Sequence, residues 1–283
     1  EIRKRQYASL SLDYELGNNS FSFFGLYSRT TRNRSSLQEN YLPNEPAITF
    51  VGTTIENELQ LTAFSLYGEH RIGNATIDWA AATSKSNGQT PYDFEMLFEN
   101  TLQVFDPDLN KHSHPRNYYG TATPELANTY LRTANFTNSS TQERTNTFAL
   151  NFKQSFSIGD KLKGYFKTGG KYIAISRTRE VDLLSEDFYY LGGQIGRDAI
   201  AAASNDLILL PNNADLISVL SFADNVNDLE FINEANENVG LKVSLDDDLM
   251  RQWYEDQKGL LNENREAILD RYEVEETLTA GYA

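Results

Sequence analysis

From Ala8 to Leu16 the chain alternates. Ala8, Leu10, Leu12, Tyr14 and Leu16 fall in one register, and Ser9, Ser11, Asp13 and Glu15 in the other. A period of two marks a β-strand with one apolar side. Gly17, Asn18 and Asn19 supply turn residues that accept positive φ, and Ser20 to Arg29 returns with Phe21, Phe23 and Tyr27 opposite Ser20, Ser22 and Ser28. This is a hairpin pattern. A third strand is predicted from about Ile55 to Tyr67, with Leu59, Leu61, Ala63 and Tyr67 against Glu58, Gln60 and Thr62, and with Phe64 and Leu66 interrupting the polar register. After a short link from Gly68 to Asn74, Ala75 to Thr83 sets Ala75, Ile77, Trp79 and Ala81 opposite Thr76 and Asp78. The clearest strand sets Phe148, Leu150, Phe152 and Phe156 against Thr147, Ala149, Asn151, Lys153 and Ser155. Beyond a turn from Ser157 to Lys161, Leu162 to Arg179 separates Leu162, Phe166, Tyr172 and Ala174 from Lys163, Lys167, Lys171, Arg177 and Arg179. Tyr272 to Ala283 makes a seventh strand, with Tyr272, Val274, Leu278, Ala280 and Tyr282 in one register.

Short links alternate with long ones, predicted at about 30–54, 84–142 and 180–271. Within the last, the Ala-rich Arg197 to Ser204, the stretch from Asp215 to Ala223 and a longer segment capped by Ser244 or Asp246 and reaching Leu261 read as short helices. They are expected to pack as a small extracellular subdomain over a barrel mouth. Outer-membrane barrels sort their connections this way, with short periplasmic turns and long extracellular loops. The expected fold is therefore all-β: a section of a transmembrane antiparallel β-barrel of about seven strands with helix-bearing extracellular loops. Tyr14, Tyr27, Tyr67, Trp79, Tyr172 and Tyr282 are expected near the membrane interfaces. Seven is an odd number, and a barrel must close its edges, so the strands are expected to belong to a larger barrel. A first residue of Glu1 without a leader pattern is what a processed protein or an internal piece would show.

Composition narrows the function classes. Of 283 residues, 25 are Lys or Arg and 40 Asp or Glu, a net charge of -15, which disfavours a general nucleic-acid binder because phosphates could not be neutralised in bulk. Cysteine is absent from the sequence, which removes disulfide frameworks and thiolate metal sites. No run reaches the roughly 20 apolar residues of a membrane helix. A barrel escapes that test, because only alternate residues of each strand meet lipid. An aromatic content of 12% suffices for interfacial girdles and equally for an ordinary β core.

The run LKGYFKTGGKYIAISRTR, Leu162 to Arg179, resembles a barrel strand of TonB-dependent outer-membrane receptors, with its GGKY core and spaced arginines. NREAILDRYEVEETLTAGYA, Asn264 to Ala283, is similar to the segment in which an extracellular loop of those receptors re-enters the barrel. The resemblance implies a 22-stranded barrel in the bacterial outer membrane, occluded by an N-terminal plug, that takes up a scarce ligand using energy from a TonB-type periplasmic partner. Membrane lipid, lipopolysaccharide and a surface lipoprotein are the further partners it implies. Neither the plug nor the short box that engages the energy-transducing partner is recognisable in these residues. A passive porin-like barrel and a secreted soluble β-protein that binds glycans are the alternative readings.

For ligand chemistry, Lys167, Lys171, Arg177 and Arg179 share the polar register of one strand and would line a lumen. Arg presents a planar fork suited to carboxylate or phosphate, although pairing with acids on neighbouring strands explains such charges as well. His112 and His114 in KHSHP fall short of a three- or four-ligand metal set. Asp246, Asp247 and Asp248 lack the spaced frame of a calcium loop and suit a helix N-terminus. No triad order, phosphate loop or dinucleotide fingerprint is present, so no catalysis, cofactor or metal is expected.

Overall fold

Each of the seven alternating stretches lies in a strand, and these strands join one antiparallel sheet. The structure, a computed structural model, describes residues 1–283 except 43, 44, 46, 102–107, 109–112, 115, 116, 119–123, 159–161 and 233–237; for 225–242 and 266–267 it describes the backbone alone. Strands β1 (Ile2–Leu16), β2 (Asn19–Leu42), β3 (Ala47–Ile72), β4 (Ala75–Asn100), β5 (Tyr130–Ile158) and β6 (Leu162–Glu186) are neighbours in sequence order. Two strands share the outer edge of β6: β11 (Asn262–Glu263) pairs near Leu184 and β12 (Tyr272–Tyr282) along Gly169 to Arg179. Between them Arg271 donates from Nε to the Val181 carbonyl at 2.8 Å and from Nη2 to Asp182 at 2.9 Å, covering backbone where the ladder is interrupted. The sheet has eight strands and is open, with β1 at its other edge.

At one end the connections are tight. Leu16 pairs with Asn19 and Ile72 with Ala75, and Gly17 and Gly73 take φ of 59° in the two turns. Such positive φ is what hairpin turns of matching twist require. The turn expected at Ser157 to Lys161 falls largely on residues outside those described.

At the other end the strands run far beyond their expected ends. Pairing continues without a break to Leu42 opposite Ala47, so the loop expected at about 30–54 shrinks to 43–46. The one expected at 84–142 becomes 101–129, and the one at 180–271 begins after Glu186. The added lengths, such as Thr30-Thr31-Arg32-Asn33-Arg34-Ser35-Ser36, are polar on both sides and show no hydrophobic period. A backbone ladder needs no such period. At about 3.3 Å per residue, β5 is roughly 95 Å long.

Directly paired residues share a face, so the register assigns every side chain to one of two surfaces. The front face carries Leu10, Leu12 and Tyr14 of β1, Phe21 and Phe23 of β2, Phe64 and Leu66 of β3, Ile77 and Trp79 of β4, Phe148, Leu150 and Phe152 of β5, and Phe166 and Tyr172 of β6. This corrects two assignments. In β3, Phe64 sits opposite Gly25 and Thr83, so Phe64 and Leu66 join the apolar belt while Leu59, Leu61, Ala63 and Tyr67 go to the back. In β12, Leu278 pairs with Ile173 and Val274 with Arg177, which puts its apolar register on the back with Tyr282. A displacement of one residue in pairing exchanges the two faces of a strand.

Farther along, β4 gains one residue: Glu56 pairs with Tyr92 but Glu58 with Gln89. Pro91 lies in the bulge, where a residue without an N–H costs no ladder bond. The front face above the bulge carries Tyr92, Phe94, Met96 and Phe98, joined by Ile48 and Phe50 of β3 and by Ala134 and Phe136 of β5. The described residues of 187–271 supply the cover of this upper front face. They comprise α1 (Gly193–Ala202), the short strands β7 (Leu209–Leu210) and β8 (Asn213–Ile217), a 3-10 turn at Val219–Phe222, strands β9 (Ala223–Ile232) and β10 (Asn238–Leu245), and α2 (Asp247–Gln257). Where a helix was expected from Asp215 to Ala223 there is thus a strand followed by a 3-10 turn. The subdomain packs on the front face of the sheet, where apolar side chains above the bulge offer it a core. Phe50, Phe94, Phe98, Phe222 and Met250 are all at most 2% exposed.

Helix α2 fits this surface by its spacing. The Asp246 carboxylate caps it, accepting from the N–H groups of Asp248 at 2.7 Å and Leu249 at 3.0 Å. Asp247, Arg251 and Tyr254 face the sheet: Asp247 accepts from Ser35 and Thr54, Arg251 pairs with Glu56 at 2.6 Å and lies over the Tyr92 ring, and Tyr254 stacks on Phe136 at 4.0 Å. Met250, Trp253 and Gln257 point into the subdomain, where Gln257 donates to the Ala199 carbonyl at 2.9 Å. Gly52 permits the approach, since a Cβ there would lie 2.5 Å from Leu245 Cδ1.

Candidate functional site

Two surfaces combine unusual exposure with chemistry. The first is the front belt below the bulge. Leu10, Leu12, Tyr14, Leu16, Phe64, Leu66, Phe148, Leu150, Phe156, Leu162, Phe166 and Tyr172 are between 44% and 60% exposed. An uninterrupted apolar surface across six strands is far larger than the few hundred Å² a water-facing monomer normally shows. Its aromatic rings lie over glycines: Trp79 covers Gly68, where a Cβ would come within 2.5 Å of the indole, and Phe156 covers Gly164. Such rings shield backbone that a glycine leaves bare. Trp79 also donates from Nε1 to His70 Nε2 at 3.1 Å, while His70 Nδ1 lies 2.8 Å from Asn19 Oδ1.

The second surface is a concavity of about 410 Å³ on the back face beside the bulge, lined by Arg3, Thr30, Arg32, Asn57, Thr90 and Thr141 among others. Thr90 donates to Asn57 at 2.8 Å, tying the bulge to β3. Gly88 forms part of the floor, and the nearest atoms to a Cβ built there stand 4.0 Å away. Thr30, Leu59, Gly88, Thr141 and Arg179 follow one another across the sheet as successive partners. Arg179 therefore extends the floor. Arg32 is held by Glu1 at 2.9 Å.

The four predicted ligand residues all lie on the back face, but they do not converge. Arg177 sits directly opposite Glu143, which accepts from Nε at 2.8 Å and by this hydrogen bond raises the guanidinium pKa. For Arg177 the structural pairing holds. Arg179 and Lys171 make no ion pair among the described residues. Lys167 faces Lys153 across the ladder, and the two ammonium groups lie over aromatic rings, Lys167 at 5.7 Å from Tyr282 and Lys153 at 4.7 Å from Tyr165. Twelve residues separate Lys167 from Arg179 on one strand, which at about 3.3 Å per residue is ~40 Å. Arg179 shares a row with the concavity's floor, Arg177 is taken up by Glu143, and Lys167 and Lys171 belong to the lower wall.

Sequence reasoning missed Arg3 and Arg32. The signal was present in Arg3 and Arg5, which continue the polar register of Ser9 and Ser11 toward the N-terminus. Asp246 and Asp247 are engaged in capping and in bonds to the sheet, and no three His, Asp or Glu side chains converge among the described residues. His112 lies outside the described residues. Burial raises the Tyr92 phenol far above its ordinary pKa, and its hydroxyl has no partner beneath α2. No helix among the described residues is long and apolar enough to cross a membrane, a test that does not bear on strands. Compared with models of known protein families and with curated proteins, the chain finds no match.

Proposed function

We propose that the sheet is a section of the wall of an outer-membrane β-barrel, and that the chain serves a TonB-dependent type of receptor that takes up a scarce ligand. One observation carries the reading: the exposed apolar belt of the front face, backed by a mainly polar face. From Phe148 to Ile158 the belt on β5 spans ten residue steps. At about 3.3 Å per step and a strand tilt near 40°, it stands ~25 Å tall, the height of a barrel's apolar band. The tight turns at 17–18 and 73–74 lie at the end of the sheet nearest the belt, and the longer connections and the subdomain at the other. This is the sorting expected of periplasmic and extracellular ends. The back face then lines the lumen, and the arginine-flanked concavity is the surface that meets ligand. Plug, energy-transducing partner and barrel size follow from the resemblance of Leu162 to Arg179 and Asn264 to Ala283.

The two tryptophans supply the test. Trp79 lies in the belt and Trp253, 2% exposed, lies in the subdomain core. In vesicles whose lipid chains carry bromine, a Trp253→Phe variant should be strongly quenched through Trp79. A Trp79→Phe variant should keep its emission. Equal quenching of the two variants refutes the proposed facing.

A further inference from the structure

The back-face concavity is the middle of a longer trough that crosses the strands. One row of the register runs from Arg5 on β1, opposite Thr30, over Gly88 to Arg179 on β6. Cations gather at both ends. Among the described residues one ion pair serves Arg3, Arg5 and Arg32 together, that of Glu1 with Arg32 at 2.9 Å. At the other end Glu143 takes up Arg177, and Arg179 makes no ion pair among the described residues. Exposed tyrosines flank the two groups: Tyr7 lies two residues from Arg5 on the same side of β1, and Tyr272 stands directly opposite Arg179 on β12. Between the ends the lining is neutral, with the hydroxyls of Thr30, Thr90, Ser139 and Thr141 and the amide of Asn57. Glu58 contributes to the rim, but its carboxylate turns to the front face, where Arg29 holds it at 2.7 Å.

The dimensions select an elongated ligand. From Arg5 to Arg179 there are five strand spacings, about 24 Å along the sheet at ~4.8 Å each. A compact chelate whose carboxylates cluster would engage one end only. Hydroxyl and amide side chains donate and accept at once, as the hydroxyls of a sugar do, and a tyrosine ring offers an apolar face to the C–H side of a sugar. A peptide's apolar side chains would find Leu59 as their one aliphatic seat in the lining. We propose that the trough takes an elongated acidic oligosaccharide, with uronate carboxylates on Arg5 and Arg179, ring hydroxyls along Thr30, Asn57 and Thr141, and one sugar lying flat on Gly88. A guanidinium fork matches a carboxylate bidentately. This assignment rests on the membrane reading, in which the back face lines the lumen, and gives that reading its ligand class.

Titration calorimetry of the protein in phospholipid vesicles, with tetragalacturonate as the probe, tests the assignment. Maltotetraose, neutral and of like length, should bind roughly tenfold more weakly or worse. Arg5→Gln and Arg179→Gln should each weaken tetragalacturonate roughly tenfold and leave maltotetraose unchanged. Gly88→Phe places a ring where a Cβ meets nothing closer than 4.0 Å, so it should fold, keep the quenching of Trp79 by brominated lipid in the Trp253→Phe background, and bind neither saccharide. Absence of tetragalacturonate binding by a parent whose Trp79 is quenched overturns this inference and leaves the membrane reading standing. Equal binding of maltotetraose, of tetraglutamate as an acidic peptide, or of citrate as a compact polyanion also overturns it, as does undiminished binding by the three variants. A parent whose Trp79 is not quenched overturns the membrane reading and this inference with it.

Discussion

Placing an arginine at Phe152 and removing the lysine next to it tests the two faces against each other. Phe152 stands on the front face opposite Ile77 and Thr168, midway between Phe148 and Phe156, so it lies close to the middle of the belt. An Arg facing lipid at mid-depth costs ~2–4 kcal/mol in a barrel. Lys153 points the other way, and its ammonium sits 4.7 Å from the Tyr165 ring centroid, a contact worth ~0.5–1 kcal/mol. Phe152→Arg should therefore destabilise by about 2 kcal/mol more than Lys153→Ala, roughly a thirtyfold difference in the folding equilibrium at 1.4 kcal/mol per tenfold. Denaturant-dependent refolding into vesicles, followed by strand circular dichroism and mobility shift, measures it. Equal midpoints for the two variants, or a larger loss for Lys153→Ala, would refute the assignment of front to lipid.

Further expectations concern the subdomain. Gly52→Leu drives a side chain into Leu245 and Met250, and overpacking of this kind costs ~1–3 kcal/mol; the emission of Trp253 should shift to the red while that of Trp79 stays. Asp246→Ala removes the cap of α2 and should cost ~1 kcal/mol in thermal unfolding, most of it restored by Asp246→Asn. Burial pushes the Asp256 carboxyl up, but bonds from the Ser204 N–H and hydroxyl and from Gln252 outweigh it and leave its pKa lowered. With the folded value below the unfolded one, its contribution is present above about pH 4 and fades as pH falls through the folded pKa. Acid titration of Trp253 fluorescence should show a transition that Asp256→Asn abolishes.

How much of this was legible follows the contrast between neighbouring side chains. Where Phe148, Leu150 and Phe152 alternate with Thr147, Ala149 and Asn151, the strand and its faces can be read directly. In β3 both registers carry apolar residues, and only pairing with Gly25 and Thr83 shows that Phe64 and Leu66 are the belt. The upper strands show no contrast between sides over Thr30 to Ser36, a pattern that reads as loop. Tyr92, Phe94, Met96 and Phe98 did alternate, within a stretch whose Asn, Thr and Pro content suggested loop. Helix α2 was legible because Asp246 and the spacing of Leu249 and Trp253 agree. The concavity was not, since it is made by a bulge and by five strands brought side by side.

The extra residue at Thr90 and Pro91 acts as a parity switch. Below it the odd-numbered positions of β4 look forward; above it the even-numbered ones do. Deleting that single residue would let Asn57 face one residue instead of two and keep Glu58 opposite Gln89 and Glu56 opposite Tyr92, so the strand would run regular with both apolar sets still forward. One extra residue thus lets a strand whose apolar positions change from odd to even present both sets on the same surface, each to its own environment.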